Sequence, residues 1–113
     1  MNTHGTSTPV GDVAETGAIK EVFGNSIPPF SSSKSLCGHS LGASGVQETI
    51  YCILMMQNNF IQASANVDTV DEKVNGMPLV TERVDNAELN TVMTNNFGFG
   101  GTNASLVLSK FKD

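Results

Sequence analysis

The stretch from Gly38 to Gln57 constrains the chain most. Gly38-His39-Ser40-Leu41-Gly42 leads into a run in which Val46, Ile50, Ile53, Leu54 and Gln57 follow the i, i+4, i+7, i+8 spacing of a helix face with a polar end. That spacing predicts a helix over about 41–57. Gly38, Gly42 and Gly45 line up on another face. A glycine inside a helix costs roughly 1 kcal/mol relative to alanine, so several on one face point to a backbone or a ligand that comes very close.

The flanking segments add a second helix and three short strands, which makes the chain α/β. Residues 2–12 are dense in Gly, Thr and Pro and read as a loop. Asp12 has the look of a helix N-cap, with Glu15 completing a capping box three residues later. The helix then runs to about Val22, with Ala14, Ala18 and Val22 on one face and Gly24 as its stop. Residues 27–33 carry two prolines and hold only a short extended piece ending at Lys34. Residues 58–78 are a polar connection. Leu79–Val84, Thr91–Asn95 and Asn103–Phe111 are strand candidates, the last with Ala104, Leu106 and Leu108 alternating onto one side. Phe97–Thr102 joins the last two and is too long for a tight hairpin turn.

Bulk properties bound the function. The chain has 113 residues, enough for one small domain, and is 39% hydrophobic and 15% charged, as globular proteins are. Six basic and eleven acidic residues leave a formal charge of −5, which argues against a nucleic-acid or anionic-membrane surface. No apolar run approaches the roughly 20 residues that span a bilayer, and no signal peptide opens the sequence. Cys37 and Cys52 are too few for a disulfide scaffold and imply reduced thiols in a cytoplasm. Met1 opens directly onto a loop, with no leading strand or helix, which points to a piece of a larger protein.

Only two histidines exist, His4 and His39, both in Gly-rich loops at element ends. Two neutral imidazoles converging on one point would donate hydrogen bonds to a carbonyl oxygen developing negative charge. Lys34 and Glu48 are either solvated surface charges or a buried ion pair that biases the histidine protonation state. Cys37 precedes a helix near Lys34 and His39, a setting that can lower a thiol pKa; Cys52 lies mid-helix and reads as packing. The cysteines and histidines have no recognised zinc spacing, so no metal is expected. Gly98–Gly101 matches neither phosphate-binding pattern. With Phe97 and Phe99 it could instead swing an aromatic ring, or pack one phenylalanine inward.

Three motifs together resemble a known family. Residues 2–12 (NTHGTSTPVGD), 34–45 (KSLCGHSLGASG) and 95–104 (NNFGFGGTNA) are similar, in order and spacing, to the two histidine motifs and the C-terminal gating loop of the β-ketoacyl-acyl-carrier-protein synthases. Ser7 between Thr6 and Thr8, and the ending Lys110-Phe111-Lys112-Asp113, bring it nearest to their bacterial type I branch. The resemblance runs from Asn2 to the end.

The resemblance implies part of the C-terminal half of a thiolase-like αβαβα fold, with a mixed sheet, packed helices and an open sheet edge. Residues 1–113 would form one truncated C-terminal domain. The activity implied is decarboxylative Claisen condensation of malonyl-carrier protein with an acyl-enzyme, by a cytoplasmic homodimer. His4 and His39 would hold the malonyl thioester carbonyl. Lys34, with Glu48, would organise the site. Thr6 and Thr8 would contact the phosphopantetheine arm, which arrives on the acyl carrier protein, so that no resident cofactor is expected. Phe99 would gate the acyl pocket, with Gly98, Gly100 and Gly101 freeing the loop. No residue here matches the family's nucleophilic cysteine, which belongs to the N-terminal half. Two alternatives stay open: a split enzyme completed by a separate N-terminal chain, and a non-catalytic scaffold or dimerisation piece.

Overall fold

The computed structural model describes residues 1–112. Asp113, the last residue of the C-terminal ending quoted above, lies outside the described residues. In chain order the elements are α1 (Gly11–Phe23), a one-turn helix α2 (Lys34–Cys37), a 3-10 turn (Leu41–Ala43), α3 (Ser44–Asn58), and strands β1 (Phe60–Ile61), β2 (Val84–Asp85), β3 (Thr91–Gly98) and β4 (Thr102–Ser109).

The sheet gathers residues far apart in sequence. β3 and β4 pair antiparallel from Thr91↔Ser109 to Gly98↔Thr102. Asn2 lies on the other side of β3, in parallel bridges to both Thr94 and Ser31. Its N–H donates to Met93 O (2.8 Å), and its carbonyl accepts from Asn95 N (3.0 Å). Phe30 in turn bridges Leu79 in parallel. The result is a mixed sheet, as expected. The reading of residues 2–12 as loop alone missed this, because one residue of pairing leaves no periodicity to read. The strand expected at Leu79–Val84 also dissolves. Leu79 makes a single bridge, and Val84–Asp85 pairs instead with Phe60–Ile61.

Both helices form where expected, but their burial is reversed. α1 buries Glu15, Thr16 and Ile19 while Ala14, Ala18 and Val22 face outward. Its N-terminus has no capping box: Val10 stands at the cap, Thr8 Oγ1 accepts from Gly11 N (3.1 Å), and the Glu15 carboxylate is engaged elsewhere. Gly24 ends the helix with φ +55° and its N–H on Lys20 O. α3 begins at Ser44 rather than 41 and closes on Asn59 in the left-handed conformation. It buries Ser44, Glu48, Cys52, Met55 and Met56, while Val46, Ile50 and Leu54 remain exposed. Of the aligned glycines only Gly45 has a neighbour, the Asn96 side chain at 3.8 Å from where a Cβ would sit; nothing approaches Gly38 or Gly42.

A small apolar core joins α3 to the sheet. Cys52, Met55, Met56 and Val92 are buried together, with Phe60, Leu89 and Leu108 packed against them. Cys52 is thus a packing residue. The outer strand β4 is exposed along almost its whole length. Phe97 and Gly98 belong to β3 rather than to a loop. The hairpin is therefore tight, with Gly101 N on Gly98 O (3.2 Å). Gly100 and Gly101 turn it at φ +92° and +93°, a conformation that side chains other than glycine's adopt at a cost. Among the described residues no helix is long and apolar enough to cross a membrane.

Candidate functional site

Lys34 and Glu48 form a buried ion pair, 8% and 1% exposed as whole residues. The solvated-charge alternative therefore falls. α2 begins at Lys34, which turns its side chain inward, and the buried face of α3 presents Glu48 to meet it. The Glu48 carboxylate also accepts from Thr94 Oγ1 (3.3 Å) and Asn96 Nδ2 on β3. Three donors on one carboxylate are what a buried charge needs to be tolerated.

A second carboxylate fixes the first histidine loop. Glu15 Oε1 accepts from His4 N and Oε2 from Gly5 N, both at 2.9 Å, and Asn95 Nδ2 donates to Oε1 at 3.2 Å. Gly5 is required here. A Cβ at this position would lie 2.8 Å from Ser32 Cβ, and Ser32 Oγ donates to Gly5 O at 2.8 Å. Asn2 ties the same loop to the start of α2, since its amide accepts from Ser33 N and donates to Ser33 Oγ.

The two imidazoles meet edge to face, with ring centroids 5.5 Å apart and planes at 87°. Phe97 N donates to His4 Nδ1 at 3.3 Å. Leu41 N donates to His39 Nδ1 at 3.1 Å, and Ser44 Oγ lies 2.9 Å from the same atom. A nitrogen that accepts a backbone N–H carries no proton, so in each neutral ring the proton sits on Nε2. Burial holds the His4 pKa below its ordinary value, reinforced by the Lys34 charge and opposed by Glu15. The neutral donor form of His4 is thereby favoured near neutral pH.

Thr6, Thr8, Lys34 and His39 line one cleft of about 590 Å³. Phe99 is not brought to it: its ring stands fully exposed at the hairpin tip beyond Gly98, with Gly100 and Gly101 at the turn. The inward phenylalanine is Phe97, whose ring centroid lies 5.4 Å from that of His4. Cys37 is exposed, with Sγ 3.2 Å from Ser33 O, while the Lys34 ammonium is committed to Glu48. Sequence reasoning missed Glu15, Asn95, Asn96 and the Phe97 N–H as parts of the site. Glu15 carried a signal that pointed to a cap, and Asn95, Asn96 and Phe97 lay within the third motif with no hydrogen-bonding role read for them.

An α/β scaffold that sets two imidazoles edge to face, each accepting a backbone N–H on Nδ1, defines a class: a paired-histidine site. The particular family follows from comparison, for residues 1–68 match the model of the β-ketoacyl synthase C-terminal domain, and the chain belongs to that family. It is 59% identical over 111 residues to a 3-oxoacyl-[acyl-carrier-protein] synthase 1 of Haemophilus influenzae, covering 98% of this chain and 27% of that protein. The synthase 1 of Escherichia coli K12 is 58% identical over 113 residues, all of this chain and 28% of that one. The ishigamide ketosynthase/chain length factor superposes with a TM-score of 0.92 at 32% identity, over 98% of this chain and 27% of the other. A type II polyketide ketosynthase solved with its acyl-carrier protein superposes at 0.87 with 27% identity, over 97% and 27%. The architecture is part of the thiolase-like ketosynthase fold. The chain spans a little over a quarter of the length of the curated relatives it matches.

Proposed function

We propose that this chain supplies the decarboxylation half of a β-ketoacyl-acyl-carrier-protein synthase site, working in the cytoplasm as part of a homodimer. The observation that carries the reading is the shared tautomer: both rings take a backbone N–H on Nδ1 and keep the proton on Nε2. A malonyl thioester whose carbonyl oxygen accepts both Nε2–H bonds loses carbon dioxide as the C–C bond electrons pass into an enolate. The two donors stabilise the negative oxygen as it forms. The enolate carbon then attacks an acyl thioester, and the acyl-bearing thiolate leaves. That thiolate belongs to the N-terminal half of the synthase, and no residue of this chain matches it.

The supporting groups fall into place around this step. The Lys34–Glu48 pair gives the site a fixed charge arrangement. Thr6 and Thr8, on the cleft wall shared with Lys34 and His39, suit contact with the phosphopantetheine arm of an acyl carrier protein. Phe99 is free to cover an acyl pocket completed by other residues, with Gly98, Gly100 and Gly101 allowing the movement.

A chimera tests the reading. This chain replaces the matching segment of the Escherichia coli relative, to which its whole length aligns at 58% identity. The chimera should decarboxylate malonyl-carrier protein and condense it with an acyl group. His4→Ala and His39→Ala should each lower decarboxylation about 10²- to 10³-fold, the worth of one oxyanion donor. A folded chimera with both histidines and no decarboxylation would overturn the reading. The 113-residue chain alone, given acyl- and malonyl-carrier protein, should yield no ketoacyl product.

A further inference from the structure

Adjacent residues of a strand point to opposite faces, and β3 uses both faces at Asn95 and Asn96. Asn95 Nδ2 reaches Glu15, the carboxylate under the His4 and Gly5 amides, while its Oδ1 accepts from Ser105 Oγ of β4 at 2.9 Å. Asn96 Nδ2 reaches Glu48, the partner of Lys34, over the bare backbone of Gly45. Thr94, two residues back on the Asn96 face, donates to the same carboxylate. The next residue along, Phe97, gives its N–H to His4. We propose that Asn95 and Asn96 are positioning residues, each holding one carboxylate, so that the Phe99 hairpin is tied through Glu15 to the backbone of the His4 loop and through Glu48 to Lys34.

The geometry favours this over simple space-filling. Both amides act as donors to carboxylates in places where a side chain of equal shape without a donor would leave a buried anion short of a partner. Asn95 is 4% exposed and has both ends of its amide occupied. Gly45 leaves ordinary van der Waals room for Asn96, so the approach to Glu48 is not forced by crowding. The word positioning rests on the reading of His4 and His39 given above. The bonds themselves do not, and the experiment reads them without turnover.

Two leucine variants keep the branched shape and remove the donor. In the ¹⁵N-labelled 113-residue chain, Asn95→Leu should speed hydrogen exchange at the His4 and Gly5 amides about tenfold and leave the Lys34 ammonium signal unchanged. Asn96→Leu should do the reverse, speeding exchange of the Lys34 ammonium about tenfold, a factor within reach of one hydrogen bond to a charged group. Equal effects on both sides in either variant, or none, would overturn the proposal while leaving the proposed activity untouched. Where a leucine variant does not fold, the near-isosteric aspartate at the same position decides. Lys34, Glu15, Glu48, His4 and His39 are the titratable groups around it, and the unsubstituted chain is the control. Folding regained on lowering the pH from about 8 to about 5, as the paired carboxyls come to share a proton, supports the proposal. A chain unfolded at both values overturns it.

Discussion

His4 and His39 each accept a backbone N–H on Nδ1, yet they are held in opposite ways. His39 is fixed locally, by the N–H of Leu41 two residues on and the hydroxyl of Ser44 five residues on. Leu41 adopts φ +52° to aim that N–H, a conformation unfavourable for a side chain other than glycine. His4 is fixed by the whole fold. Its ring is held by Phe97, 93 residues away, and its backbone by Glu15 on α1, which Asn95 steadies from β3. One imidazole of the pair is therefore held by a turn, and the other by tertiary structure. Partial unfolding should cost the His4 side first.

The largest effect that could break this contrast comes from Glu48, which serves both loops through Lys34 and β3. Glu48→Ala strands a buried ammonium and should destabilise the chain by about 3–5 kcal/mol in urea titration. A loss below about 1 kcal/mol would mean that the pair does not support the site. Glu15→Ala comes next, at about 2–3 kcal/mol, because it removes the acceptor from two backbone amides and the Asn95 amide. Its signature should be one-sided, shifting the His4 ring resonances in NMR and leaving those of His39. Ser44→Ala should touch only His39, at about 0.5–1 kcal/mol, since Leu41 N still occupies Nδ1. An effect of Ser44→Ala on His4 would erase the distinction.

Acid should sharpen it further. The folded chain holds His4 below its ordinary value of 6.5, so the unfolded chain binds the proton more readily. The stability His4 contributes is complete above about pH 6.5 and is lost as the pH falls through the folded value. Denaturant midpoints measured from pH 8 down to pH 5 should decline. Replacing His4 with glutamine, which also presents a donor but does not titrate, should flatten that part of the decline.

The same contrast explains what could be read from the sequence. His39, Lys34 and Gly38 lie within one short motif, and the helix that follows announces itself through its spacing. The hairpin strands were legible because β4 alternates. Glu15 was legible only as a cap, because its true partners are 10 and 11 residues away on a loop whose path no local pattern fixes. Asn95 and Asn96 open the third motif, but nothing in the sequence assigned their side chains a partner. α3 was read with its faces exchanged. Val46, Ile50 and Leu54 make the better apolar stripe, but within this chain the polar network of Ser44 and Glu48, with Cys52 and Met55, claims the inner face. Periodicity reports that a face is apolar; it does not report what lies against it.

The strand position of Asn2, between Ser31 and Thr94, has a kinetic consequence. Its neighbours in the sheet stand 29 and 92 residues along the chain, as 31 − 2 and 94 − 2, so two wide loops must close before the segment between them is secured on both sides. Topologies of this kind assemble slowly compared with local hairpins. The β3–β4 hairpin can zip on its own. The middle of the sheet has to wait for it, and the first histidine loop takes its final shape only when the chain has been made through residue 97.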